Sequence, residues 1–175
     1  MILRLYYPCR PFFVNQKFGA NIPCVKDFGL PTQSIVSGEN NDTCPIGYEK
    51  LYKQWRLSGH NGIDLGAGVQ NVYAACDGVV IEKQTVPARG LGVGVLTNER
   101  YTFDGLGEYF VKIRSWHLKS FAADVGDVIK AGDLIGTTDN TGYSSGNHLH
   151  FEVQLIDKDA GGHPYVAFPN NGYGG

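Results

Sequence analysis

The stretch Gly59-His60-Asn61-Gly62-Ile63-Asp64-Leu65 is the part of the sequence around which the fold is expected to form. It carries an imidazole and a carboxylate four residues apart, and the turn dipeptide Asn61-Gly62 between them disfavours a helix. In a straight strand the two groups would lie roughly 13 Å apart, too far to share one ion. A turn at Asn61-Gly62 would bring them together, so the stretch predicts two ligands of a small metal ion.

Further ligands are offered by His148-Leu149-His150 near the other end of the chain. Residues two apart in a strand point to the same face, with Cα atoms about 6.6 Å apart, so one imidazole could bind the metal while the other lies over its open position. His117 follows a predicted strand and could approach from a third direction. A His, Asp, His ligand set suits Zn²⁺, and three protein ligands plus water are typical of a catalytic site. Because the chain has no HExxH motif, histidines that do not bind the metal would act as the base.

The composition favours many short strands. The 175 residues include 24 glycines, 10 tyrosines and 9 phenylalanines, which indicate strands joined by glycine turns, and the length fits one domain. The formal net charge of −2 gives no electrostatic reason to expect nucleic acid as a partner. Apolar runs such as Val93–Leu96 are far too short to span a bilayer. Arg4 and Arg10 interrupt the first apolar residues in a way that is not typical of a signal peptide.

Apolar runs bounded by turn residues predict the positions of the strands. Residues 1–18 predict one or two strands, with Phe12, Phe13 and Val14 in the core. Asp77-Gly78 predicts a hairpin turn between two apolar runs, Val72–Cys76 and Val79–Ile81. Further strands are predicted at Gly92–Thr97, at Tyr109–Trp116, twice within Val125–Gly136, and at Asn147–Leu155.

The segment 20–58 departs from this pattern. It is rich in proline, glycine and asparagine, and predicts a loop-rich insertion with one helical turn near Tyr48–Trp55. The insertion could form one wall of a substrate groove or have no role in the site. We therefore expect a single domain over 1–175, with a core at about 11–157 and a tail at 158–175.

The cysteines Cys9, Cys24, Cys44 and Cys76 show no CxxC spacing, so they do not indicate a second metal site. Cys76 lies in an apolar run and is expected to be a buried thiol. Cys24 and Cys44 lie within the insertion and could be joined or separate. His163 lies outside every motif and is expected at the surface.

The motifs around His60, His117 and His148, in this order along the chain, resemble those of the lysostaphin/LytM-type zinc endopeptidases that cut peptidoglycan. The similarity covers most of residues 14–155, and the segment between Phe18-Gly19 and His60 is longer than is usual in that family. The motifs that carry it are Gln16-Lys17-Phe18-Gly19, His60-x-x-x-Asp64, Trp116-His117-Leu118, Val125–Gly136 and Asn140–Val153.

The resemblance implies both a fold and a chemistry. The fold is all-β, an antiparallel β-sheet sandwich or barrel-like core with a central groove, in one peptidase domain over 1–175. One zinc ion would be held by His60, Asp64 and His150, and His117 and His148 would be catalytic. The implied reaction is hydrolysis of peptide bonds in peptidoglycan cross-links or stem peptides, by a monomer acting at the cell envelope or outside the cell.

Two other functions remain open at this point. Some relatives of the family regulate cell-wall enzymes or bind the wall without cutting it, and such a non-catalytic role is the alternative to an endopeptidase. Hydrolysis of some other peptide would use the same site on a different substrate. The resemblance also leaves open whether a glycine cross-bridge or a D-alanyl bond of the stem peptide is cleaved.

Overall fold

The computed structural model describes residues 2–18, 48–55 and 60–167. They fall into two units: residues 2–13 and 65–167 belong to the first, and residues 14–18, 48–55 and 60–64 to the second. Two of the boundaries between them lie within strands, between Phe13 and Val14 and between Asp64 and Leu65. Cys24 and Cys44, which could be joined or separate, lie outside the described residues, as do most of the insertion 20–58 and residues 168–175. A single domain over 1–175 stays a prediction.

The second unit contains one helix and parts of two strands. Helix α1 spans Tyr48–Trp55, where a single helical turn was expected, with acidic Glu49 in its first turn and basic Lys53 in its last, as the helix dipole favours. Strand β1 spans Phe13–Gln16 and is the neighbour of β2, Ile63–Gly66.

The prediction that Phe13 and Val14 belong to the core is wrong, since they are 67% and 49% exposed. β1 ends the strand order, and an edge strand has a neighbour on one side only. Phe12, just before the strand, is half-buried and does pack against the core.

The first unit is built on antiparallel strands, as the family resemblance implied. They are paired in the order β10-β7-β5-β4-β8, with β11 on β10, β6 and β9 on β7, and β3 on β9. Their bounds are β3 Asn71–Tyr73, β4 Gly78–Val86, β5 Gly90–Thr97, β6 Tyr101–Phe103, β7 Gly107–Phe121, β8 Val128–Ile129, β9 Leu134–Thr138, β10 His148–Lys158 and β11 Pro164–Val166. The all-β prediction is thereby confirmed, and a strand lies at each position expected from Gly92 onward, although some of the bounds differ.

Strands β7 and β10 have two different faces, because side chains alternate along a strand. One face joins the apolar core, which includes Val80, Val93, Val95, Val111, Ile113, Leu149 and Phe151. The other face is buried but polar: Trp116 lies opposite His150, Arg114 opposite Glu152, and Lys112 opposite Gln154. This polar face carries the candidate site.

Two predicted features differ from the structure. Asp77-Gly78 is not a hairpin turn, because β3 pairs with β9 while β4 pairs with β5 and β8. The Asp77 carboxylate instead accepts the backbone N–H of Ala131 at 2.9 Å. Residues 158–167 are not a tail, since β11 pairs with the last residues of β10, Ile156–Lys158.

The thiols of Cys9 and Cys76 are unpaired and buried, as expected for Cys76. Burial raises the pKa of Cys9 to about 11, and burial together with the charge of Asp77 raises the pKa of Cys76 to about 12. Neither thiol is therefore ionised at neutral pH.

Candidate metal centre

His60 and Asp64 lie close together in the second unit, as the turn at Asn61-Gly62 predicted. Nε2 of His60 is 3.2 Å from Oδ1 of Asp64, and both side chains are largely buried. Nδ1 of His60 donates to the carbonyl oxygen of Lys17 at 3.0 Å. This hydrogen bond fixes the tautomer, so the lone pair is on Nε2, the nitrogen that faces the carboxylate.

His148 and His150 lie at the start of β10 in the first unit. Nδ1 of His148 is 2.8 Å from the carbonyl oxygen of Gly146, to which it donates, and 3.1 Å from Oγ of Ser144. Nε2 of His150 donates to Oε1 of Glu152 at 3.2 Å. The two imidazoles therefore use opposite nitrogens for their protein contacts: His148 carries its lone pair on Nε2, and His150 carries it on Nδ1.

His117 reaches the same cluster because of a β-bulge. Leu91 pairs with Leu118 and Val93 with Ser115, so β7 has one more residue than β5 between these two pairs. His117 has a φ of 62°, a conformation that is uncommon for a residue with a side chain. Simple alternation from Ser115 would put His117 on the core face. Instead its ring centroid lies 4.7 Å from that of His148 and 5.9 Å from that of His150.

The expectation that the strand ends at Trp116 is wrong. β7 continues past the bulge to Phe121 and pairs there with β9.

The ring of His117 is oriented by the loop that precedes β10. Its Nδ1 donates to the carbonyl oxygen of Thr141 at 2.6 Å. Thr141 is itself anchored, because its Oγ1 donates to the carbonyl oxygen of Leu118 at 2.7 Å and accepts the N–H of Leu91 at 3.1 Å. The hydrogen bond from Nδ1 places the lone pair of His117 on Nε2, as in His148.

A buried group of charges lies behind His150. The Glu152 carboxylate is also bound by Nη1 of Arg114 at 3.2 Å, and Nη1 of Arg89 lies 3.5 Å away. Burial alone would raise the pKa of Glu152, but the hydrogen bond from His150 and the charges of the two arginines lower it well below its ordinary value. Glu152 is therefore a carboxylate at neutral pH. Sequence reasoning missed it, although His148, His150 and Glu152 share one face of a predicted strand.

The donor set fits a zinc ion. His60, Asp64 and His150 could each offer one ligand atom to a metal ion, and two imidazole nitrogens with one carboxylate oxygen are ligands that Zn²⁺ prefers. Histidines that bind metals usually donate their other N–H to a carbonyl or carboxylate. His60 does so to Lys17 and His150 to Glu152.

Comparison with known proteins gives a family and a fold. The model of peptidase family M23 matches residues 58–161. The chain is 37% identical over 79 residues to an uncharacterized metalloprotease of Buchnera aphidicola, and the match covers 41% of this chain and 21% of that protein. It is 33% identical over 121 residues to glycyl-glycine endopeptidase ALE-1 of Staphylococcus capitis, a match over 66% of this chain and 30% of that protein.

Among solved structures, the catalytic domain of lysostaphin from Staphylococcus simulans has the same fold, with a TM-score of 0.55 and 22% identity over 93% of this chain and 86% of that one. The matches span less than a third of the length of each of the two curated relatives named above. In the described ranges of the chain, no helix is long and apolar enough to cross a membrane.

Proposed function

The chain belongs to peptidase family M23, the lysostaphin/LytM-type metallopeptidases, and on this premise we propose that it is a zinc-dependent endopeptidase that hydrolyses peptide bonds of peptidoglycan. The observation that carries the proposal is the set of four imidazoles with defined tautomers. His60 and His150 have the outer hydrogen bonds of metal ligands, whereas His117 and His148 are oriented by backbone carbonyls.

In this proposal one zinc ion per chain is held by Nε2 of His60, a carboxylate oxygen of Asp64 and Nδ1 of His150. Three protein ligands leave a coordination position for water or substrate, as in catalytic zinc sites. The chemistry that a bound zinc ion supplies is activation of a water molecule and polarisation of the scissile carbonyl.

In this proposal His148 moves the proton and His117 assists at the reacting carbonyl. Nε2 of His148 carries the lone pair, because Nδ1 donates to Gly146, so this nitrogen can accept the proton of the attacking water as a general base. The resulting imidazolium can then donate a proton to the leaving nitrogen. His117, whose ring centroid is 4.7 Å from that of His148, would place a second imidazole at the reacting carbonyl. In its doubly protonated form its Nε2–H would donate a hydrogen bond to the carbonyl oxygen on which negative charge develops.

The proposed substrate is a peptide of peptidoglycan, either a cross-bridge or a stem peptide. The names of two relatives support this substrate class, since ShyA of Vibrio cholerae is named a peptidoglycan DD-endopeptidase and ALE-1 a glycyl-glycine endopeptidase. The proposed place of action is the cell envelope or outside the cell, and the proposed state is a monomer.

Replacing His148 by Ala tests the assignment of roles. We expect His148→Ala to abolish release of fragments from labelled peptidoglycan while the protein still binds about one zinc ion, because the variant removes the base and keeps the ligands. His163→Ala is the matched control, since His163 lies at the surface in contact with Asp159. Loss of zinc from His148→Ala with activity retained would show that ligand and base are assigned wrongly. A wild-type protein that binds zinc and peptidoglycan without cutting would favour the non-catalytic alternative.

A further inference from the structure

Glu152 is buried more deeply than any other acidic side chain on the polar face of β7 and β10. It is 1% exposed and lies two residues after His150, on the same face of β10. Its Oε1 accepts the N–H of His150 Nε2 at 3.2 Å. Burial of a carboxylate costs its hydration energy, and close charged partners must compensate that loss. The buried position of Glu152 therefore needs an explanation.

The partners of Glu152 belong to a row of charges that crosses four strands. Oε2 of Glu152 accepts Nη1 of Arg114 at 3.2 Å, and Nε of the same arginine donates to Oε2 of Glu82 at 2.8 Å. Lys112 donates to the other oxygen of Glu82 at 2.7 Å. The strand registers place these groups in line, because Glu82 pairs with Gly94, Gly94 with Arg114, and Arg114 with Glu152.

Gly94 makes this row possible. Glu82 and Arg114 lie on β4 and β7, on either side of β5, so the side chain of Glu82 must pass over the residue between them. A Cβ atom at Gly94 would lie 2.9 Å from both Cβ and Oε2 of Glu82, closer than such atoms approach. The absence of a side chain at this position lets Glu82 reach Arg114 and fix the guanidinium that holds Glu152.

The row ends at the imidazole of His150, and this contact decides which nitrogen of that ring carries the proton. With Nε2–H bound to Glu152, the lone pair lies on Nδ1 and the ring cannot turn about its χ2 angle without losing the hydrogen bond. Fold stability alone does not require charged side chains at these positions, because replacing buried ion pairs by packed apolar groups often leaves the stability of a protein unchanged or higher.

We propose that Glu152 is a positioning residue of the metal centre: it holds His150 in the tautomer and orientation that present Nδ1 to the metal, and the Glu82–Arg114 pair holds Glu152 in place. The inference rests on the proposed zinc site. Groups of this kind typically change metal affinity by about 10- to 100-fold when they are replaced.

The test measures zinc affinity of the whole chain by competition with a chromophoric chelator, and the visible spectrum of the cobalt(II)-substituted protein. Glu152→Gln keeps the size of the side chain and an oxygen that can accept the hydrogen bond, but loses the charge. We expect it to weaken zinc binding about 10-fold, and Glu152→Leu about 100-fold, with a change in the cobalt spectrum. Val153→Ala, at the half-exposed neighbouring position on the other face, is the control and should bind zinc like the wild type.

Glu82→Gln provides a second variant that does not touch His150, and we expect it to weaken zinc binding several-fold. The inference would be overturned if folded Glu152→Gln had the zinc affinity and the cobalt spectrum of the wild type. If Glu152→Gln does not fold, an unchanged zinc affinity of Glu82→Gln would overturn it. A wild-type protein that binds zinc tightly but does not cut peptidoglycan would contradict the proposed function alone. A wild-type protein that binds no zinc would contradict both.

Discussion

The orientation of His117 depends on a backbone contact that one methyl group should break. Thr141, whose carbonyl oxygen accepts Nδ1 of His117, is followed by Gly142 with a φ of 81°. A Cβ atom at Gly142 would lie 2.3 Å from the backbone nitrogen of Gly90 and 2.6 Å from the carbonyl carbon of Arg89. Because both are backbone atoms, no side-chain rotation can relieve the overlap, and Gly142→Ala must displace the loop.

The loss of stability expected for Gly142→Ala can be worked out by comparison with a second glycine, Gly105. Gly105 has a similar φ of 73°, but apart from its two chain neighbours no described residue has an atom within 4 Å of the position its Cβ would take. Gly105→Ala should therefore cost only the left-handed conformation, about 1 to 2 kcal/mol of the free energy of unfolding. Gly142→Ala carries the same cost plus overpacking of about 1 to 3 kcal/mol, which gives a total of about 2 to 5 kcal/mol.

The variants Gly142→Ala and Gly105→Ala should also differ in their catalytic activity. An oriented acid or base contributes about 10²- to 10⁴-fold to a rate, so loss of the Thr141 contact should lower kcat by at least about 10-fold in Gly142→Ala. Zinc content should stay near that of the wild type, because none of the proposed ligands is in the displaced loop. Gly105→Ala should keep full activity.

Urea unfolding of both variants and fragment release from labelled peptidoglycan measure these effects. Equal stabilities of Gly142→Ala and Gly105→Ala, together with full activity of both, would refute the reasoning that the loop is seated against Gly90 and orients His117.

Further predictions concern the charge row and the two thiols. Gly94→Ala should lower the free energy of unfolding by about 1 to 3 kcal/mol in urea, because the added methyl group overlaps Glu82; a variant as stable as the wild type would contradict this. Cys9 and Cys76 should resist iodoacetamide at pH 8 in the folded protein and react in denaturant, as peptide mapping can show; modification of either in the folded state would be the contrary result. In the folded protein the thiol pKa is raised from its ordinary value of 9.0 to about 11 for Cys9 and about 12 for Cys76, so the unfolded chain loses these protons at a lower pH than the folded protein does. The free energy of unfolding should therefore fall as the pH rises above about 9, by up to about 1.4 kcal/mol per pH unit for each thiol. Cys76→Ala should reduce that slope, and an unchanged slope would contradict the assignment.

Local patterns in the sequence were sufficient for the features that depend on neighbouring residues. The turn at Asn61-Gly62 predicted that His60 and Asp64 meet, and they do so at 3.2 Å. The alternation along Asn147–Leu155 predicted that His148 and His150 share a face, and both rings lie within 6 Å of the ring of His117.

Features that depend on pairing between distant strands could not be predicted in the same way. The sequence predicted a strand that ends at Trp116, whereas β7 continues to Phe121, and the bulge that redirects the side chain of His117 is visible only in the register of β7 against β5. The row from Glu82 to Glu152 joins segments that are 70 residues apart in the chain, so no local pattern brings its members together. Asp77-Gly78 has the composition of a hairpin turn, but the pairing of β3 with β9 and of β4 with β5 overrides that preference.

Mass spectrometry of purified peptidoglycan tests the central claim most directly. The wall material is incubated with zinc-loaded protein, with protein stripped by a chelator, and with stripped protein to which zinc has been returned. We predict new peptide ends with the first and third samples and none with the second, and the masses of those ends would identify the bond that is cut. Intact peptidoglycan from several wall types, in the presence of protein that holds one zinc ion per chain, would contradict the account.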